Sequence, residues 1–169
     1  MKKILILLII AVFGVIFCVS TANAEMAREG SGDYRGGKSG TFEVLQLSEG
    51  RLQINWDETG VVVDAPENSP FINTSYRALG TTHSIDGKTK ANGSLVFVCP
   101  NGDQIFGVID TEGDVVAGPS RGGIVIIGGT GDYTGIEGKM EFMPRPLVKS
   151  AQKGTYQGIG IGKVSWKLP

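Results

Sequence analysis

The sequence has few of the residues that most recognised chemistries need. It contains one histidine, His83, and two cysteines, Cys18 and Cys99. No cluster of His, Cys and carboxylates has zinc spacing, and the acidic turn "DTEGD" lacks the ligand array of a calcium loop, so no metal or cofactor is expected. No Gly-x-Ser-x-Gly elbow is present, and His83 in "GTTHSI" has no orienting partner at a recognisable spacing. His83 therefore reads as a polar strand or loop residue. Basic blocks are also missing, with 16 Lys and Arg against 17 Asp and Glu. That balance argues against nucleic acid or an anionic membrane as partner. No window of residues 39–168 holds apolar residues at helical spacing for more than two turns.

Long apolar runs occur once, at the start. Met1-Lys2-Lys3 precedes an apolar stretch from Ile4 to about Val19, followed by Ser20-Thr21-Ala22-Asn23-Ala24. A basic start, a core of about 15 apolar residues and an A-x-A ending predict a signal peptide over 1–24, cut after Ala24. A retained membrane anchor is the rival reading, since the core approaches the ~18 residues of a spanning helix. Lipoprotein processing does not fit, because Phe17 rather than a small residue precedes Cys18. The cut would remove two lysines and no acids, leaving 14 basic against 17 acidic residues. It would leave a secreted or periplasmic chain of about 145 residues with no membrane span, enough for one domain. It would also remove Cys18, so Cys99 could form no intrachain disulfide. At the end of an apolar strand and with no basic neighbour to ionise it, Cys99 reads as a small buried residue.

What the sequence has in quantity is glycine, 26 residues, and two-residue periodicity. "EMAREGSGDYRGGKSG" is glycine-rich and charged, and 25–38 reads as a flexible lead-in to a domain over 39–169. In "RLQINWD", Leu52, Ile54 and Trp56 alternate with Arg51, Gln53, Asn55 and Asp57, the pattern of a half-buried antiparallel strand. Ser48-Glu49-Gly50, Asp86-Gly87 and Asn101-Gly102 mark hairpin turns. "FINTSYRALGTTHSI" reads as strand to Ile85. Pro144 and Pro146 stop a strand that begins near Tyr133. In the last strand Tyr156, Gly158, Gly160, Gly162, Val164 and Trp166 share one face. Three glycines side by side in a pleat mark bending or close approach of another backbone. About eight short strands, strongly curved, predict an all-β protein, an eight-stranded antiparallel closed barrel in preference to a sandwich.

"IVIIGGTGDYTGIEGKMEF" raises a separate question, because an apolar strand followed by glycines is also how nucleotide-binding loops begin. The third glycine of G-x-G-x-x-G is replaced by Thr134, and no Gly-Lys-Ser/Thr follows. Gly138, Met140 and Phe142 then alternate with Lys139 and Glu141, so a strand follows instead of a helix. The run turns the chain and does not hold a phosphate. It resembles the glycine signature shared by allene oxide cyclases and plant dirigent proteins, with matching positions Gly128, Gly129, Thr130, Gly131, Tyr133, Gly135 and Gly138. "CPNGDQIFGVIDTEGD" and "GTYQGIG" are similar to bacterial secreted proteins with the same type of barrel. The resemblance implies an eight-stranded barrel over 39–168 and self-association, since such families often form trimers. It implies no particular chemistry. Allene oxide cyclases use a glutamate on an early strand, and Glu43 is on one, but its flanks do not match and the role is not carried over. Nor can Asp57, Asp110 or Asp114 be matched to the cavity aspartates of dirigent proteins.

Six aromatic residues on the expected strands, Trp56, Tyr76, Phe97, Phe106, Tyr156 and Trp166, are the candidate lumen lining. An eight-stranded barrel can be filled by its own side chains or can hold one small apolar ligand. A one-residue change of register exchanges its faces, so the sequence leaves both open. The leading expectation is a small hydrophobic molecule bound in the lumen without covalent chemistry. The alternatives are a cyclase or isomerase of a lipophilic substrate, acting by shape and polarisation, and a non-catalytic envelope structural or interaction protein with a filled barrel. The leader makes one prediction directly: the exported protein, weighed intact by mass spectrometry, begins at Glu25, and a species retaining 1–24 would establish the anchor reading.

Overall fold

The computed structural model describes residues 26–114, 118–143, 150 and 152–169, the side chains of 118–121 excepted. The leader at 1–24, Glu25, and the strand stop at Pro144 and Pro146 lie outside the described residues. Eight strands follow in chain order: β1 (Glu29–Ser48), β2 (Arg51–Asp64), β3 (Ser75–Ile85), β4 (Lys88–Val98), β5 (Gln104–Asp114), β6 (Gly118–Gly129), β7 (Glu137–Phe142) and β8 (Thr155–Lys167). Each pairs antiparallel with the next, and β8 returns to β1, closing the barrel. Closure gives every strand a partner on both sides, with β7 covering only part of β6 and β8, and so leaves no full-length edge as a template for aggregation. Register shifts between Arg35 and Gly36 and between Phe106 and Gly107 add local twist to the wall.

The turn residues perform as their chemistry requires. Asp86 and Gly87 both have positive φ, 49° and 82°, the primed two-residue turn that matches strand twist. At Asn101-Gly102, Gly102 has φ 90° and the Cys99 amide donates to the Asp103 carbonyl at 2.8 Å.

Three expectations need correction. The segment 25–38 is not a flexible lead-in: from Glu29 it is strand, paired with β8 along its length. Gly30, Gly32, Gly36 and Gly40 share its inward face with Tyr34 and Lys38, and a Cβ there would strike Trp166, Pro66, the Val61 carbonyl and Tyr156 respectively. Side-chain hydropathy is silent at such a strand because the apolar partners belong to its neighbours. The strand expected from Phe71 begins only at Ser75. Residues 71–74 fold into a loop instead, held by the Thr74 hydroxyl donating to the Phe71 carbonyl at 2.9 Å. The strand expected near Tyr133 begins at Glu137, after a 3-10 turn over Gly131–Tyr133.

One end of the barrel is sealed by these loops. Phe71 and Ile136 are wholly buried and Tyr133 nearly so, packed with Phe97, Ile105, Trp166 and Leu168 in one core. Phe71 meets the rings of Phe97 and Trp166 edge-on, with centroids 5.5 and 6.3 Å away, the geometry that aromatic quadrupoles favour. The Trp166 indole donates to the Ala27 carbonyl at 2.9 Å. Toward the other end the inward side chains loosen: Phe42, Ile54, Trp56 and Thr82 are half-buried and Val44 is 52 % exposed.

The glycine run belongs to the sealed end and holds a carboxylate of the protein itself. The Asp132 amide donates to Asp103 Oδ2 at 3.0 Å, and a Cβ at Gly131, where φ is 51°, would collide with that carboxylate. The Thr130 hydroxyl accepts from the Gln104 amide at 2.9 Å, pinning the turn to β5. The turn reading of this run therefore stands, with Asp103 where an anion would be sought.

Phe71→Ala should empty the centre of the seal and destabilise the barrel by about 3–5 kcal/mol. Urea unfolding checks this as a lowered midpoint at unchanged slope.

Candidate functional site in the lumen

Strand alternation fixes what faces the lumen. The inward set of β1 includes Tyr34, Lys38 and Phe42, that of β2 Trp56 and Glu58, that of β3 Tyr76, and that of β8 Tyr156. Phe42 lies opposite Trp56, and the tyrosine and tryptophan rings lie opposite glycine. Tyr34 pairs with Gly162, Tyr76 with Gly60, Tyr156 with Gly40, Trp56 with Gly80, and Trp166 with Gly30 and Gly138. A Cβ at Gly40, Gly60 or Gly80 would overlap the opposing ring. Each ring therefore lies over a bare stretch of neighbouring backbone, a pairing that recovers packing which glycine alone would forfeit.

These side chains converge on one carboxylate. Glu58 Oε2 lies 3.0 Å from Lys38 Nζ, and Glu58 Oε1 accepts from the Tyr76 hydroxyl at 2.9 Å. The pair is shielded, with the Lys38 and Glu58 side chains 29 % and 14 % exposed. Lys38 Nζ also stands 5.9 Å from the centre of the Tyr156 ring, within cation–π range. The Trp56 indole is satisfied by Thr82 Oγ1 at 3.1 Å. The Tyr34 hydroxyl, in contrast, is buried without a hydrogen-bond partner. Burial, and after it the charge of Glu58, raises the phenols of Tyr34, Tyr76 and Tyr156 above the ordinary tyrosine range. All three are neutral donors at physiological pH. The arrangement can donate hydrogen bonds on an aromatic, charge-balanced inner face.

Of the six candidate aromatics, five point inward and divide by depth. Phe97 and Trp166 belong to the sealed core, whereas Trp56, Tyr76 and Tyr156 border the looser half. Phe106 does not line the lumen. Ile105 and Gly107, its neighbours in β5, are the buried inward positions, so Phe106 is on the outer wall opposite Val96. The sequence reading did not single out Tyr34, Lys38 or Glu58. Glu58 lies two residues from Trp56 and so on its face, which is the signal that could have found it, but an inward carboxylate runs against the usual strand pattern. Glu43 faces outward and is exposed. Asp57 is held on the outer wall by Arg77, 2.7 Å away, and Asp110 accepts from Asn92. His83 is exposed on the outer wall. The Cys99 thiol donates to the Pro70 carbonyl at 3.7 Å and burial pushes its pKa up, the setting of an unreactive thiol. No trio of metal-ligating side chains occurs among the described residues. Two shallow clefts on the outer wall, one at Asp33, Lys139 and Lys163 and one at His83, Lys88 and Lys90, are lined by exposed charged groups.

The chain is thus a closed antiparallel barrel with an aromatic inner face around one ion pair among the described residues. Among solved structures the chain is similar to a pterocarpan synthase dirigent protein, with a TM-score of 0.51, 12 % identity, and coverage of 89 % of this chain and 96 % of that one. The likeness is one of fold. No protein-family model and no curated protein matches the sequence.

The four tyrosines of the chain, Tyr34, Tyr76, Tyr133 and Tyr156, all have raised pKa values, burial being the largest cause in each. The unfolded chain ionises its phenols near pH 10 while the folded one keeps its protons. Stability should thus hold up to about pH 10 and fall as pH rises further. Tyrosinate absorbance near 295 nm should stay absent in the folded protein and appear in one step with loss of the dichroism signal. A gradual titration preceding unfolding would contradict this account of the site.

Proposed function

We propose that the protein is an exported bacterial barrel that binds a small, largely apolar molecule in its lumen without covalent chemistry. One observation carries this reading: a Cβ added at Gly160, which faces inward on β8, would meet no atom within 4 Å. Open space at Gly160, on an inner face that elsewhere carries half-buried Trp56, Tyr76 and Tyr156, is the setting that supports a ligand site with apolar walls and a few placed polar groups. Export rests on the leader pattern, and the bacterial source on the resemblance to secreted barrel proteins. Self-association belongs to the proposal on the same resemblance.

A second reading, ring closure or isomerisation of a lipophilic substrate, is favoured by the neutral phenols around Glu58, which could polarise an oxygen atom in a substrate held in one geometry. One solved structure with a similar fold is itself named a synthase. This reading requires turnover of an added unsaturated epoxide that Glu58→Gln abolishes.

Native mass spectrometry of the purified protein should detect a co-purifying apolar compound. Gly160→Leu should fold normally, because no positive φ is required there and there is room for a side chain, yet it should lose the compound. Wild-type protein that is empty and takes up no added apolar compound would leave the filled-barrel role standing.

A further inference from the structure

A barrel that binds hydrophobic molecules invites the expectation of a fatty acid, an apolar chain with a carboxylate. The polar inventory of this lumen opposes it. Lys38, the one basic side chain on the described inner face, is engaged by Glu58 at 3.0 Å. A carboxylate entering beside it would face Glu58 at short range in a shielded setting, where like charges repel strongly. Glu58 is already engaged by Lys38, Tyr76 and Tyr156, so most of its acceptor capacity is taken before a ligand donor arrives. The unmet group is a donor. The Tyr34 hydroxyl, in a side chain 6 % exposed, has no partner, and a buried hydroxyl left unpaired costs on the order of 1–3 kcal/mol. Tyr34 pairs across strands with Gly162, two residues along β8 from the uncovered wall at Gly160.

Resting on the ligand-binding reading, we propose that the lumen selects uncharged apolar molecules with an acceptor oxygen, a carbonyl or ether, which takes the hydrogen bond of the Tyr34 hydroxyl, and that Glu58 rejects carboxylates. Tyr34 is the specificity residue for the acceptor and Glu58 the one that discriminates by charge. The neutral state of the surrounding phenols fits an uncharged occupant, since none of them supplies a counter-charge.

Three naphthalene probes of matched size separate the terms: 2-acetylnaphthalene with a carbonyl, 2-ethylnaphthalene with no acceptor, and 2-naphthoate with a carboxylate. Binding is read from the change in tryptophan fluorescence on the purified protein. The ketone should bind best, ahead of the hydrocarbon by about three- to tenfold, the range of one buried neutral hydrogen bond, and the naphthoate weakest. Tyr34→Phe should erase the ketone's advantage while hydrocarbon binding persists, and its urea midpoint should be unchanged or higher because an unpartnered hydroxyl is removed. Glu58→Gln should strengthen naphthoate binding at least about tenfold relative to the ketone. Equal binding of all three probes, or a ketone preference that survives in Tyr34→Phe, would overturn the selectivity while leaving lumen binding intact. Failure of every probe to bind, with Gly160→Leu indistinguishable from wild type, would overturn both.

Discussion

The pairing of five large inward rings with glycine on a neighbouring strand is the constraint on which the rest of the structure depends. A small barrel has little interior, and five aromatic residues could not share it if the positions opposite them carried side chains. Tyr34 over Gly162, Tyr76 over Gly60, Tyr156 over Gly40, Trp56 over Gly80 and Trp166 between Gly30 and Gly138 solve this by laying rings on bare backbone. The arrangement also sets the register, since a one-residue slip would place every ring against the wrong neighbour. Glycine weakens a strand by itself, and the rings return the contact area that it gives up.

From this arrangement the site follows. With the rings against the walls, their hydroxyls are brought together at Glu58, which Lys38 neutralises from the adjacent strand. The ion pair anchors the polar groups, and one phenol remains unanswered. The same device operates at the sealed end, where Trp166 spans two glycines and supports Phe71 edge-on. The two halves of the barrel thus use one packing rule for different ends: closure at Phe71 and Ile136, accessible space at Gly160.

The fold was legible from the alternation of Leu52, Ile54 and Trp56, from the turn pairs Asp86-Gly87 and Asn101-Gly102, and from the shared face of Tyr156 through Trp166. Each is a local signal, and each was met in the structure. Hidden were the features that depend on a distant partner. The first strand looked like a linker because its inner face is glycine, whose reason is a ring elsewhere in the chain. Phe71 looked like strand because a plug and a strand are equally apolar. Glu58 escaped because a carboxylate on a strand usually faces water, and only Lys38, twenty residues away, makes its inward position tolerable. Phe106 was placed inside with the other aromatics, since residue type alone does not tell which face of a strand it occupies.

The two ends of the folded chain meet beside the seal, where the Leu168 amide donates to the Arg28 carbonyl at 2.6 Å. A segment joined after Pro169 therefore starts from the sealed end, away from the accessible half of the lumen. A barrel tethered to a surface, a resin or another domain through its C-terminus would stand like a cup on its base, with its rim turned outward and unobstructed.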